Sequence, residues 1–521
     1  MERVRILDRV RLGSDAFRIG EDRLAGAWIS SRAGAAILVE LAARLRAKPP
    51  DHQVSLAVVS GQYGDNPGLH RALRRDQPER VIVLRPGGPS QPTIQAVEGW
   101  DSALRTDLLS SPAGANFDKG GVARFSFGPF GPRSPWPDAQ HSVAVTLGVE
   151  NAGTPIEVIS WSNLGQVAAL LSHVVGDAAR SDWASFLARP ISGPADAGSY
   201  QSHPDLRRLD ALVRAHGVSG SEEPAKQVIR ELLPKWASSR LITDEKGNLI
   251  VILGQAGPPD AVFIAHLDEI GFRVTSVSTE GRAQVESVGG LSEDLFVGQP
   301  LQSSRSPYLA IMPRSGSVQA IDGRLQVGDT LTPRKRLSEL LNHRISARSL
   351  DDRIGCLVLL EALRALDANP QGRPVWFVFS VEEETGLHGA AHLAQRTRSK
   401  RVYPIDSFVT SDSPLEPKRI AYAPLGAGAV LRAVDDSGST PRQAVDRVVQ
   451  LARDNDIPLQ VGVTAGGNDG SKFTAFGAVN IPLAFPLRYS HTAAETADLR
   501  DVRALIRLVQ VLLEQELAGL D

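Results

Sequence analysis

The chain of 521 residues contains a single cysteine, Cys356, so no intrachain disulfide can brace it, and a reducing compartment is the natural expectation. No apolar run approaches the roughly 18 residues that a membrane helix needs. The N-terminal stretch MERVRILDRVRLGSD scatters charges among its apolar residues and has no continuous hydrophobic segment of the kind a secretory signal requires. A surplus of charge is missing too. Lys and Arg total 57 against 59 Asp and Glu, a formal net charge of −2, which speaks against a broad basic surface for nucleic acid. Together these absences set the expectation of a cytoplasmic globular protein with neither a membrane nor a nucleic-acid partner.

What is present exceeds one ordinary core: at about 150 residues per domain, the length suggests two to four domains. The clearest break is ARPISGPADAGSYQSHPD, rich in Pro, Gly, Ser and Ala and without apolar periodicity. It marks a linker over 188–204 and sets off an N-terminal domain over 1–187. Beyond it, short apolar runs such as LIVIL, AVFIA and VWFVFS alternate with helical patterns, which predicts an α/β fold with a mostly parallel sheet flanked by helices. Residues 273–342 lack any helical period and alternate β-formers with Gly-centred turns, so they read as a β-rich insert. The α/β domain is then discontinuous, 205–272 and 343–521.

Three predicted strands lead directly into polar residues. AVFIA precedes His266, Asp268 and Glu269; VWFVFS precedes Glu382, Glu383 and Glu384; FVTS precedes Asp412. Asp351 and Asp352 open a helix, and His491 follows FPLRYS. Taken singly, each has an ordinary explanation: a hydrogen-bonded histidine, an N-cap pair, a solvated acidic loop. Taken together, they gather at the carboxyl edge of a parallel sheet, where such folds bind ligands. Acids crowded at a low-dielectric edge are costly unless a cation offsets them, and mixed His and carboxylate donors suit zinc, cobalt or manganese.

The motifs HLDEIGF, SLDDRIGC, FSVEEETGLHGA, GGNDG and PLRYSHTAAETADLRDV, in that order, resemble those of the glutamyl aminopeptidase and tetrahedral aminopeptidase family of dinuclear zinc exopeptidases, over roughly 205–521. The resemblance implies a metal-dependent aminopeptidase with two divalent ions, Zn2+ first and Co2+ or Mn2+ as alternatives. It implies Asp351 as the bridging ligand, His266 and Asp412 on one ion, Glu384 and His491 on the other, Glu383 as general base, and Asp268 orienting His266. It also implies a cis peptide after Asp351, peptide substrates and a homo-oligomer. The competing readings are an amidohydrolase or deacylase acting on a small N-acylated substrate, and a non-catalytic assembly protein. Asp469 of GGNDG is either a partner for a substrate amine or part of a plain turn, and Cys356 reads as a small core residue.

The N-terminal domain repeats part of this text without its acids. WISSRAGAAILVEL lies on SLDDRIGCLVLLEAL with Ser30 and Ser31 under Asp351 and Asp352, Arg32 under Arg353 and Gly34 under Gly355. Continued downstream, Tyr63 and Gly64 fall on Glu383 and Glu384, Arg85 on or near Asp412, Gly153 near His491, and Glu157 on Glu495. The expectation is a partial, metal-free α/β pseudo-repeat with a structural role.

Overall fold

The computed structural model describes residues 17–19, 22–26, 29–47, 49–58, 79–85, 91–97, 103–111, 114, 117–123, 141–150, 157–176 and, from 203 onward, all but 306–308, 322, 367–369, 414–420 and 521. The chain divides into two compact units, Met1–Asp196 and Ala197–Asp521. The expected linker, up to residue 202, lies outside the described residues. Among the described residues no helix is long and apolar enough to cross a membrane.

In the first unit the order is β1 (Phe17–Ile19), β2 (Arg23–Gly26), α1 (Ile29–Ala47), β3 (Arg80–Arg85), β4 (Thr93–Val97), α2 (Ala103–Ser110), β5 (Asp118–Ala123), β6 (His141–Thr146), β7 (Val149–Glu150), β8 (Glu157–Ser160) and α3 (Trp161–Val174). Two sheets form, β1-β2-β8-β7 and β3-β6-β4-β5. Ile37 and Leu41 of α1 and Val167, Leu170 and Leu171 of α3 bury their side chains in one cluster with Val143 and Val145 of β6. The helical spacing of those residues is what lets both helices cover a sheet.

The second unit begins with α4 (Pro204–Arg214), α5 (Glu223–Leu232) and the short α6 (Lys235–Ser238), then β9 (Leu241–Thr243), β10 (Leu249–Leu253) and β11 (Ala261–His266). The chain now leaves the sheet for β12 (Gly271–Val277), β13 (Arg282–Val288), β14 (Pro300–Ser303), β15 (Leu309–Arg314), β16 (Ser317–Ala320) and β17 (Thr330–Pro333). These six strands close into a barrel in the order β12-β13-β16-β15-β14-β17. Next come β18 (Ser338–Glu339), β19 (Arg344–Ala347), α7 (Leu350–Ala365), β20 (Val375–Ser380), α8 (His388–Arg396), β21 (Arg401–Val409), β22 (Ala429–Asp435), β23 (Gly438–Ser439), α9 (Arg442–Asp454), β24 (Leu459–Val463), α10 (Ser471–Thr474), β25 (Val479–Asn480), β26 (Leu483–Leu487), β27 (Glu495–Asp498) and α11 (Leu499–Ala518).

The main sheet runs β23-β22-β26-β21-β11-β20-β10-β9, with β24 joined to β22. Its centre, β20-β11-β21-β26, is parallel throughout. Both faces of β11 are buried: Phe263 and Ala265 enter the cluster under α4, α7 and α11, while Val262 and Ile264 enter the cluster under α8. This is why β11 reads as an unbroken apolar run instead of an alternation. Phe263 lies between Phe377 on one neighbouring strand and Tyr403 on the other, with ring centroids 5.1 Å and 4.7 Å away. The three central strands are thus locked in register beneath the residues that follow them.

The two units share a strand pattern. In each, a strand leads into a long helix (β2 to α1, β19 to α7), and an antiparallel partner arrives later and leads into another helix (β8 to α3, β27 to α11). In each, four strands run in the same order and sense: β3-β6-β4-β5 and β21-β26-β22-β24 are both parallel, antiparallel, parallel. Register agrees residue by residue. Gly26 faces Glu157 as Ala347 faces Glu495, and Arg23 faces Ser160 as Arg344 faces Asp498. Those pairs fix an offset of 321 for the earlier segment and 338 for the later one. The same offsets carry the pair Arg85 and Thr146 onto Asp406 and Ala484, which do face each other. By register Arg85 thus takes the place of Asp406, six residues before Asp412, on or near which the sequence alignment laid it. Tyr63, Gly64 and Gly153 lie outside the described residues.

A buried seam joins the barrel to the α/β core. Glu269 accepts hydrogen bonds from Lys335 Nζ (2.5 Å), the Gly217 amide (2.9 Å) and Thr332 Oγ1 (3.2 Å), and another from Ser349 Oγ. His216 sits beside it, Nε2 2.8 Å from Thr330 Oγ1. Burial, reinforced by the Lys335 and Arg353 charges against the opposing pull of Glu269, lowers the His216 imidazole to about 4. The folded protein thus keeps His216 neutral where an unfolded chain, near 6.5, would protonate it. Its contribution is complete above about pH 6.5 and is lost as pH falls toward 4, by ~2–3 kcal/mol. We expect His216→Gln to lose less denaturant resistance than the unaltered chain between pH 7.5 and pH 4.5; equal losses would refute this.

Candidate metal centre

The central strands deliver their polar residues to one rim. His266 ends β11, where its neighbours are fully buried, and is itself 3% exposed. Its Nε2 lies 3.4 Å from Asp351 Oδ1, and its Nδ1 lies 3.5 Å from Asp268 Oδ1. Asp268 is wholly buried and satisfied by Ser219 Oγ (2.6 Å) and by the amides of Glu383 (3.0 Å) and Glu384 (3.2 Å). One carboxylate thereby faces the histidine and fixes the main chain of the acidic loop.

Asp351 stands where α7 starts irregularly. Ser349 is left-handed (φ 67°), the Asp351–Asp352 peptide is cis, and both acids have non-helical angles. Asp351 Oδ2 accepts from Ser407 Oγ (2.8 Å) and Ser490 Oγ (3.1 Å), while Oδ1 has no hydrogen-bond partner. Asp352 turns inward, accepting the Gly355 amide at 3.0 Å. A Cβ on Gly355 would come within 2.2 Å of that carboxylate, so this position requires glycine.

Asp406 is the residue that the sequence reading missed. Its carboxylate, the His266 imidazole and the Asp351 carboxylate each offer an atom within 4.8 Å of the others. Asp412, expected in this place, is turned away: its Oδ2 accepts from Arg488 Nη2 (2.6 Å) and from the Leu425 amide (3.0 Å). The error lay in the strand. Phe408–Ser411 reads as a short strand ending at Asp412, but β21 begins at Arg401 and runs through Pro404 and Asp406, buried up to Phe408. A proline and an acid inside an apolar run disguise a central strand.

On the far side His491 Nε2 lies 3.3 Å from Glu384 Oε2, and His491 Nδ1 lies 2.5 Å from Gly290 O in the barrel. Glu384 Oε1 is buried without a partner. Glu383 is half-buried beside it. Glu382, the third acid, is held by Lys246 Nζ at 2.7 Å and 2.8 Å. Asp469 is buried and accepts from Ser380 Oγ, and Cys356 Sγ donates to His266 O at 3.3 Å.

Charge is unbalanced here. Burial raises the Asp406 carboxyl to about 7, with the Asp351 charge adding to it. Burial likewise lifts Glu383 far above the carboxylate range, helped by Asp406, Asp469 and Glu384. Burial would raise Asp351 as well, but the close approach of the His266 imidazole and the charges of His266 and His491 hold it well below that range. His491 moves up to about 9: desolvation pulls it down, and the hydrogen bond and charge of Glu384 outweigh that.

The donors fit divalent cations. A tetrahedral ion with bonds of about 2.0–2.1 Å separates neighbouring donor atoms by ~3.3 Å. The distances 3.4 Å for His266 to Asp351 and 3.3 Å for His491 to Glu384 match that edge. Partnerless buried oxygens on Asp351 and Glu384 supply the remaining need for a cation.

Comparison with known proteins agrees with this architecture. The M42 glutamyl aminopeptidase family profile matches residues 247–306 and 318–508. The lysyl aminopeptidase of Pyrococcus furiosus is 26% identical over 348 residues, 60% of this chain and 97% of that protein. Among solved structures, PhTET1-12s, a dodecamer, is 31% identical with a TM-score of 0.54, covering 59% of this chain and 98% of its own. The Pyrococcus horikoshii TET1 peptidase, described as assembling into a tetrahedron or a large octahedral shell, is 30% identical with the same TM-score of 0.54 and covers 59% of this chain and 98% of its own. A barrel inserted after β11, a parallel sheet whose ends carry His266, the Glu triplet and Asp406, and relatives matched over nearly their whole length lead to one assignment: through residues 247–508, the chain belongs to the M42 glutamyl aminopeptidase family.

Proposed function

We propose that the chain is a metal-dependent aminopeptidase that removes N-terminal residues from peptides. The observation that carries this reading is the pair of histidine–carboxylate contacts at ligand spacing, completed by partnerless buried oxygens on Asp351 and Glu384. His266 and Asp406 would hold one divalent ion, Glu384 and His491 a second, and Asp351 would serve both, with Zn2+ preferred and Co2+ or Mn2+ able to replace it. Bound there, such ions polarise a scissile carbonyl and lower the pKa of water toward about 7. Glu383 would take the proton of the attacking water at its carboxylate and pass it to the leaving amine nitrogen. Its amide is tied to Asp268, so its side chain works from a fixed main chain. Asp268 would keep His266 in its donor orientation. The dodecamer seen for a TET1 relative supports a homo-oligomer here.

The N-terminal unit would be a metal-free copy of part of the same core, with a structural role. Matching strand order, sense and register support it. Ser30 and Arg85 stand at the positions of Asp351 and Asp406, so two donor positions there are a hydroxyl and a cation.

Chelation should abolish hydrolysis of aminoacyl p-nitroanilides, and Zn2+, Co2+ or Mn2+ should restore it. Free-amine substrates should be cleaved and their N-acetylated forms spared; the reverse preference would establish the amidohydrolase alternative. Metal analysis should show that Asp406→Asn loses metal while Asp412→Asn retains it, and the opposite result would return Asp412 to the donor set. Glu383→Gln should keep its metal and turn over slower by a factor on the order of 10²–10⁴. Loss of metal in that variant would make Glu383 a ligand.

A further inference from the structure

One buried carboxylate outside the donor set touches both halves of it. Glu495 opens β27 and is wholly buried. Its Oε2 accepts the amide of Asp351 at 3.2 Å, and its Oε1 accepts the amide of His491 at 3.1 Å. Arg348 Nη1 donates to the same Oε1 at 2.8 Å, and Arg348 Nη2 is anchored on Ile270 O at 3.1 Å. Two residues from distant parts of the chain, one from each side of the rim, therefore hang their main chains on a single side chain.

The segment carrying His491 needs such a hold. Tyr489 and His491 are both left-handed, with φ of 59° and 61°. Non-glycine residues in that region are strained and persist only where surrounding contacts impose them. Glu495 supplies one of those contacts directly.

The first unit offers a built-in comparison. Glu157 occupies the register position of Glu495 and accepts from the Ser30 amide (3.1 Å) and Ser30 Oγ (2.7 Å). Both Ser30 and Glu157 are buried. The link from the acid to the amide at the helix start thus exists where Asp351 is replaced by serine. The sequence has Ala27 where the offset of 321 places Arg348, so the arginine belongs to the metal-bearing unit alone.

We propose that Glu495, with Arg348 as its counter-ion, is a positioning residue that sets the spacing between Asp351 and His491 and thereby the affinity of the centre for its cations. This rests on the metal-centre reading above. A carboxylate tied to three donors cannot shift without moving both ligand-bearing segments. Replacing it with an amide removes the charge opposite Arg348 and leaves one of the two ligand amides without its acceptor.

The test uses the full-length chain in four forms: unaltered, Glu495→Gln, Arg348→Lys and Glu157→Gln. Zn2+ affinity is read by competition with a chelator, and the absorption spectrum of the Co2+-loaded protein is recorded. Glu495→Gln should weaken Zn2+ binding by roughly 10–100-fold and alter the Co2+ spectrum, on the scale seen when groups that orient ligands are removed. Arg348→Lys should act in the same direction by a smaller factor and serves if Glu495→Gln does not fold. Glu157→Gln, a matched change at a buried acid on a helix-start amide, should lower stability and leave affinity and spectrum unchanged. Unaltered Zn2+ affinity and Co2+ spectrum in folded Glu495→Gln or Arg348→Lys would overturn the assignment while leaving the metal centre standing. Absence of Zn2+ binding by the unaltered chain would overturn the metal centre and this role with it.

Discussion

A carboxylate taken out of water must be met by donors or by a cation, and the second unit is arranged around that requirement. Asp268 is met by Ser219 and two amides, Glu269 by Lys335, Thr332 and a backbone amide, Glu495 by Arg348 and two amides. Those acids are structural ties. Asp351 and Glu384 are met only in part, since one oxygen of each has no hydrogen-bond partner, while Asp406, which accepts the Ser407 amide (2.6 Å) and faces Arg432 Nη1 (3.4 Å), still rises to about 7. Asp268, Glu269 and Glu495, met at both oxygens, hold the frame, whereas Asp351 and Glu384 each bring an unmet oxygen to the rim, a difference that residue type alone does not reveal.

That separation explains what was legible in the sequence. The meeting of His266 with Asp351 and of Glu384 with His491 was legible because apolar strands and a helix start lead into them. Within the Glu triplet, which was ambiguous on paper, Lys246 from the loop between β9 and β10 takes Glu382. Asp406 was hidden inside a strand that proline and acid made look shorter than it is. Arg348 left no local pattern, because its significance is a contact with a residue far along the chain. Glu495 did leave one: it matches Glu157 across the repeat while the neighbouring acids change to serine. An acid kept when the ligands are lost points to packing, and the amide links of both glutamates are that packing.

The repeat also shows which parts of the fold are independent of chemistry. Strand order, ladder register and the helix-start amide link are common to both units, whereas Asp352 with its obligatory Gly355, the Ser407 and Ser490 hydroxyls on Asp351, and Arg348 serve the rim of the second unit alone. Gly34 has ordinary room for a side chain, 3.5 Å from Leu147, where Gly355 has none. The same letter in the sequence therefore records a steric demand in one unit and none in the other.

The seam at Glu269 bears on how far the barrel is a separable part. The barrel departs from the core two residues after Glu269 and returns through Lys335, which grips the same carboxylate. Ser349, two residues ahead of Asp351, grips it as well. A protein engineer who exchanged this barrel for another would cut one knot shared by the entry point, the exit point and the approach to Asp351. The insert is thus not a cassette. Any graft has to carry Thr330, Thr332 and Lys335 with it, because the inner root of the barrel is bound to the carboxylate that also holds Ser349.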